Sequence, residues 1–478
     1  MINDCCVLFF ISKFYPMKTL KIFSLPKFSL FMSLLLITAA CDLETDTPEP
    51  DYEGQVKQLL PRVQRNIAFM LSTDMVRFQS IWMQQLAGVR GIPESADRYE
   101  PENIHMDDSW NLYYNNIFFQ LKDMEYYVNE LESQSFRGIS RILEAYTLLI
   151  MTDNWGEIPY SQAPDYLISG VWPEYDQQED ILEDILTLLT TGISDLESAD
   201  PNASFAPGPE SDHLYAGHLN QWIRAANLFR LRVLLRLANY HQDYSNLLQE
   251  ITEMDLYSSS GQNLYYPFDG SAQNSNPHYV YDYHVRNTRV GKFFVDLLKE
   301  NDDPRLTQLV RINTSNEYVG SAPGQSLYGA SFIGPSLASP ASPLVIASFA
   351  EVLFIKAEIY YRNNQQAMAD QAFEQAVKAS LDFHQVEDPE WEAEYAEVEN
   401  VSLEQIMNAK YIALFLQPEV WSDFRRTGYP QITPYEPEEH HIPRRQIYPV
   451  TEIQNNTENV PLDITIFDRV WWDHENHD

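Results

Sequence analysis

Leu353, Ala357 and Tyr360, then Ala369, Phe373 and Ala376, recur three and four residues apart, and this spacing constrains the fold more than any other feature of the chain. Residues so spaced share one face of a helix. The alternation of large, small and aromatic groups suits two antiparallel helices in close contact. Ala357 and Ala369 let the backbones approach, Tyr360 and Phe373 fill the groove between them, and Asn363-Asn364 supplies the turn.

The same periodicity runs through most of the chain. Val56, Leu59, Leu60, Val63, Ile67 and Met70 form another stripe. Similar patterns predict helices over 109–131, 135–151, 177–196, 217–240, 289–299, 343–362, 367–383 and 402–415. The spacing over 353–376 is that of a tetratricopeptide repeat, although Lys356 stands where such repeats usually have Leu. The pair within 109–151 reads as a weaker copy. Turn-rich segments over 88–101, 154–175, 199–212, 258–288, 318–342 and from 428 onward separate the helices. Loops this long are functional or build a second lobe. The fold class is therefore mainly α: a tetratricopeptide-like helical-repeat body with an irregular, loop-rich lobe.

The chain begins with a leader. Lys18, Lys21 and Lys27 precede a short apolar run that ends in Ala39-Ala40-Cys41, and acids follow. This resembles the lipobox of bacterial lipoproteins, with Thr38 in place of the usual Leu. The resemblance implies lipidation of Cys41 and loss of residues 1–40; translation from Met17 would give the leader a more ordinary basic beginning. The apolar run is too short to span a bilayer as a helix. Cys5 and Cys6 leave with the leader, so the mature chain has no disulfide and no cysteine metal site. Residues 41–52 read as an acidic tether, and 53–478 as the folded domain. Losing four Lys and one Asp deepens the net charge from −37 to −40. Such a surface repels nucleic acid and anionic head groups, and leaves a neutral or cationic ligand.

Five phrases recur in an order similar to one family: Met151-Thr-Asp-Asn-Trp-Gly-Glu-Ile-Pro-Tyr160, Asn301-Asp-Asp-Pro-Arg305, Ser348-Phe-Ala-Glu-Val-Leu-Phe-Ile-Lys-Ala-Glu358, Trp421-Ser-Asp-Phe-Arg-Arg-Thr-Gly-Tyr-Pro430 and Ile442-Pro-Arg-Arg-Gln-Ile-Tyr-Pro449. Behind a lipoprotein signal, the set resembles the SusD/RagB outer-membrane lipoproteins of Bacteroidetes. The resemblance implies a non-enzymatic surface protein with about four tetratricopeptide-like helix pairs. It implies a TonB-dependent transporter as partner and an oligosaccharide, or in some members a peptide, as ligand. Read as residues, the phrases are architecture. Arg425 can stack on Trp421 at i and i+4, Arg444 and Arg445 pair with the acidic body, and Gly156 provides an unusual backbone angle.

A sugar site needs flat aromatic faces and polar groups for hydroxyls. The densest loop set is Tyr265, Tyr266, Phe268, Asn274, Asn276, His278, Tyr279, Tyr281, Tyr283, His284 and Arg286. Tyr279, Tyr281 and Tyr283 would share one face of an extended segment. The cluster either binds ligand or covers the helical body as a flap. Further candidates are Arg90, Arg98 and Tyr99 on the early loop, and Trp172 with Tyr175, which serve equally well as structure; Trp82 sits on an apolar helix and belongs to the core. No Gly-rich phosphate loop, nucleophile elbow or H-E-x-x-H zinc motif occurs. His440-His441 beside Glu438-Glu439 reads as a solvated turn, and no cofactor is expected, a structural calcium ion among loop acids being the one open alternative. The competing role is a lipid-anchored helical-repeat scaffold that docks proteins.

Overall fold

The computed structural model describes residues 51–200 and 202–474; Cys41, its leader and the tether as far as Pro50 lie outside the described residues. Helix α1 (Tyr52–Met70) starts where the Asp51 carboxylate accepts from the Gly54 amide at 2.9 Å. That cap satisfies a donor that the first turn leaves free, and it starts the helix before the apolar stripe does. Val56, Leu59, Leu60, Val63, Ile67 and Met70 are all buried, as their spacing predicts.

The helices that follow are α2 (Asp74–Trp82), α3 (Ile92–Asp97), α4 (Asp107–Tyr113), α5 (Phe119–Glu130), α6 (Gln134–Trp155), α7 (Ala163–Ser169), α8 (Gln178–Ser198), α9 (Leu219–His241), α10 (Leu247–Glu253), α11 (Pro277–Val280), α12 (Lys292–Glu300), α13 (Leu306–Leu309), α14 (Phe349–Arg362), α15 (Gln366–Phe383), α16 (Pro389–Tyr395), α17 (Leu403–Ala413), α18 (Glu419–Thr427) and α19 (Val450–Asn455). The strands are β1 (Leu86–Gly88), β2 (Leu264–Tyr266), β3 (Thr288–Val290), β4 (Val310–Arg311), β5 (Phe332–Ile333) and β6 (Leu344–Ala347). They pair antiparallel as β1–β3, β2–β6 and β4–β5.

The body is a tetratricopeptide-like stack of helices. α14 lies along α15, α6 along α8, α1 on α5 and α8 on α9. Ala357 and Ala369 are fully buried at the α14–α15 contact, and Phe354 meets Phe373 edge-on at 6.3 Å. Asn364 takes φ +58° in the turn between them. Gly138 and Gly192 do the same service for α6 and α8. A Cβ on Gly138 would stand 2.8 Å from the Gly192 carbonyl oxygen, so no larger residue fits this crossing. Among the described residues, no helix is long and apolar enough to cross a membrane.

Three expected helices differ in detail. Over 109–131 the helix is continuous but widens to a π-turn at Tyr114–Phe118. The segments 289–299 and 343–362 each begin as a strand. Gly291 then passes so close to the Gln84 carbonyl that a Cβ would overlap it at 2.0 Å, which fixes the β3–α12 junction. Ser348 caps α14 by accepting from the Glu351 amide at 3.2 Å, ending β6.

The family-like phrases converge in the interior. Asp153, at the end of α6, accepts from Arg236 of α9 at 2.9 Å and from the Trp472 indole at 3.0 Å. Arg425 lies 3.8 Å from the Trp421 ring and 4.5 Å from the Trp472 ring, and donates to the Asp153 carbonyl at 2.7 Å. Arg444 pairs with Asp473, and Arg445 donates to the Trp155 carbonyl and to Tyr448. Gly156 takes φ +76°. These residues hold the C-terminal segment to the helical body, as the architectural reading expects.

Candidate functional site

Three loops from distant parts of the chain meet beside β3. The β1–β3 ladder sets Gly88 against Thr288, and the Val89 amide continues it by donating to Asn287 at 2.9 Å. This brings the early loop against residues 277–287. On its other side the Val290 amide donates to Ser331 at 3.0 Å, drawing in the segment that ends in β5. Asp97 clips the first and third loops together: one oxygen accepts from the Gly88 amide at 3.2 Å and the other from the Gly324 amide at 2.6 Å. Burial pushes its pKa up to about 7, against the pull of those two donors.

The surface so assembled alternates aromatic rings and guanidinium groups. Tyr279 and Tyr283 stack at 5.3 Å with planes 14° apart. Arg286, held at φ +59°, has its guanidinium 5.9 Å from the Tyr283 ring and 5.6 Å from Phe332. Arg289 follows, 4.1 Å from Phe332 and 4.4 Å from Tyr328, with its Nε donating to the Tyr328 carbonyl at 2.8 Å. Arg90 closes the row: it donates to the Val285 carbonyl at 2.6 Å and sits 5.9 Å from the Tyr328 ring. Tyr283 and Tyr328 are each 49% exposed, so flat faces remain open while arginines fix the rings. Beneath them Asp282 pairs with Arg311 at 2.7 Å, and burial raises its pKa to about 6 despite that partner.

The sequence candidates separate into groups here. Arg90, Tyr279, Tyr283 and Arg286 come together. Tyr281 does not share their face, because residues 277–285 form a short helix and π-turn rather than an extended strand. At helical spacing Tyr279 and Tyr283 lie together, and Tyr281 turns to receive the Arg77 guanidinium 3.5 Å from its ring. Tyr266 points inward from β2, stacked edge-on with Phe268 at 5.0 Å, and its neighbour Tyr265 takes the exposed side. Tyr99 is buried among Tyr435, His440 and Phe467. Trp172 belongs to other elements, stacked on Tyr166. Tyr328, Phe332 and Arg289 were missed; a search for aromatics in the 318–342 loop would have found the first two.

The arrangement offers rings for the apolar face of a sugar and guanidinium donors for its oxygens. Among the described residues, Glu436, Glu439 and His440 form a group whose ligand atoms lie within 4.8 Å of one another. Its two glutamates are exposed, His440 is half-buried against Tyr99 and Phe467, and the His440 amide donates to the Glu436 carbonyl at 3.0 Å.

The model of a SusD-like family, described as "Starch-binding associating with outer membrane", matches residues 49–449. A chitin-binding SusD homolog from Flavobacterium johnsoniae is similar in structure, with TM-score 0.73, 20% identity, and coverage of 89% of this chain and 99% of that one. A SusD/RagB family protein from Bacteroides thetaiotaomicron aligns with TM-score 0.75 and 21% identity over 87% of this chain and 98% of its own. A SusD homolog from Bacteroides uniformis gives TM-score 0.72 and 20% identity over 88% and 99%. No protein of curated function matches the sequence.

Proposed function

This chain belongs to the SusD/RagB family, and on that premise we propose that it is a cell-surface lipoprotein that captures oligosaccharide and passes it to a TonB-dependent outer-membrane transporter. The observation that carries the reading is the row Tyr283–Arg286–Phe332–Arg289–Tyr328–Arg90, in which exposed rings are fixed by guanidinium groups. Pre-fixed rings lose little freedom on binding, which favours weak flat ligands such as glycans. The family description and the chitin-binding relative support a glycan over other nutrients. The reading is of a binding protein and not an enzyme, and it requires no cofactor. Cys41 carries the lipid in this reading.

Affinity electrophoresis through gels containing starch, chitin and other glycans tests it. Wild-type protein is expected to be retarded by at least one polymer, and Tyr328→Ala or Tyr283→Ala to weaken that binding roughly tenfold, about 1.4 kcal/mol. Unchanged mobility on every glycan, together with peptide binding by calorimetry, would replace the sugar reading with a peptide one. Delivery is tested separately, by co-purification with a TonB-dependent transporter from outer membranes.

A further inference from the structure

A second concave site lies away from the row of rings and arginines. It is a cavity of about 250 Å³ between the α4–α5 helix, the 159–173 loop and α19. Its walls are aromatic. Trp110 and Tyr114 stand 5.0 Å apart, and at the mouth Tyr166 and Trp172 stack with centroids at 4.5 Å and planes 31° apart. Trp172 is 37% exposed, so part of its ring is open at this mouth.

The local backbone is shaped to build this wall. In the π-turn at Tyr114–Phe118 the Phe119 amide donates to the Tyr114 carbonyl, five residues back. Tyr114, Asn115 and Phe119 around this wider turn line the cavity, while Phe118 packs edge-on against the Tyr114 ring at 5.9 Å. Trp172 is pinned through its backbone. Asn459 donates to the Trp172 carbonyl at 3.3 Å, and Asn456 donates to that of Pro173 at 3.0 Å. The platform is therefore set before any ligand arrives.

The polar groups define the ligand. Asn111, Asn115 and Asn455 line the cavity, and none of their side-chain amides makes a hydrogen bond within the described residues. Each offers a donor pair and an acceptor to hydroxyls. The Glu452 carboxylate is already engaged, by the Trp110 indole at 3.2 Å, Tyr175 Oη at 2.8 Å and Asn456 at 3.3 Å. No Lys or Arg lines the cavity, so an anionic group would find no counter-charge. The volume lies just below the usual range for small-molecule pockets, about 300–1,000 Å³, which limits the occupant to a small ligand.

We propose that this cavity is a second binding site, which takes one uncharged pyranose ring between the Trp172–Tyr166 pair and the free amides. The choice of a sugar rests on the glycan reading above; the location does not. A polymer could then be held at two points, one ring here and a longer stretch on the arginine-backed row.

Saturation-transfer NMR with glucose and N-acetylglucosamine tests it on the full chain. Transfer to ring protons is expected in wild-type protein and in Tyr328→Ala, with at least a tenfold loss in Trp172→Ala and partial recovery in Trp172→Phe. A melting temperature for Trp172→Ala near that of wild type excludes unfolding as the cause. No transfer in wild type with either sugar, or undiminished transfer in Trp172→Ala, overturns the proposal. Failure of the main reading shows differently: polymer retardation is absent, or it is indifferent to Tyr328→Ala.

Discussion

Asp97 is 2% exposed and ties two loops of the candidate site through two backbone amides. Its pKa rises from 3.8 to about 7 on folding, because burial outweighs those donors. The folded state thus holds this proton more tightly than the unfolded one. The stabilisation it brings is complete below about pH 4 and is lost as pH rises through 7. In urea melts between pH 4 and 7, wild type minus Asp97→Asn should show this slope, of order a few kcal/mol across the window; parallel curves would show that Asp97 does not titrate there. The tyrosine cluster shows what a residue's type conveys. Alternation put Tyr279, Tyr281 and Tyr283 on one face of an extended segment, and the helix and π-turn over 277–285 keep only Tyr279 and Tyr283 together. That Tyr281 turns to Arg77 was not legible, since side-chain direction depends on whether the segment is strand or helix, and its short run fits either.

At the scale of elements, the apolar stripes predicted the long helices well, because period and capping are local properties. The exceptions are instructive. A π-turn alters the period for a single turn, too briefly to disturb the pattern of 109–131, yet it forms one wall of the second cavity. β3 and β6 were hidden inside predicted helices because each is only three or four residues long and is stabilised by a distant partner strand. Helix pairing was also partly illegible: α6 packs chiefly on α8, rather than on its immediate predecessor α5. The Gly138–Gly192 crossing explains the choice and can be tested. Gly138→Leu should wedge the pair apart and cost roughly 1–3 kcal/mol or more by urea denaturation. Gly208→Ala, where nothing lies within 4 Å of the added carbon, should change stability by less than about 0.5 kcal/mol.

For the whole molecule, the proposed division of labour places anchoring at Cys41 and capture in the folded body. Cys41→Ala should abolish retention in the membrane fraction and leave glycan affinity of the purified protein unchanged; a parallel loss of affinity would contradict it. The sequence by itself determined the helical class, the tetratricopeptide-like pairing over 353–376 and the family, because helical period, capping residues and ordered phrases are written in contiguous stretches. Only the tertiary structure decided which aromatics face outward and which arginines hold them. Arg90 reaches the Val285 carbonyl across 195 positions of chain, and Tyr328 joins them from a third loop. Each loop alone lacks the apolar surface to fix its own conformation, so its side chains take their directions from the ladders and buried clips that bind the three together.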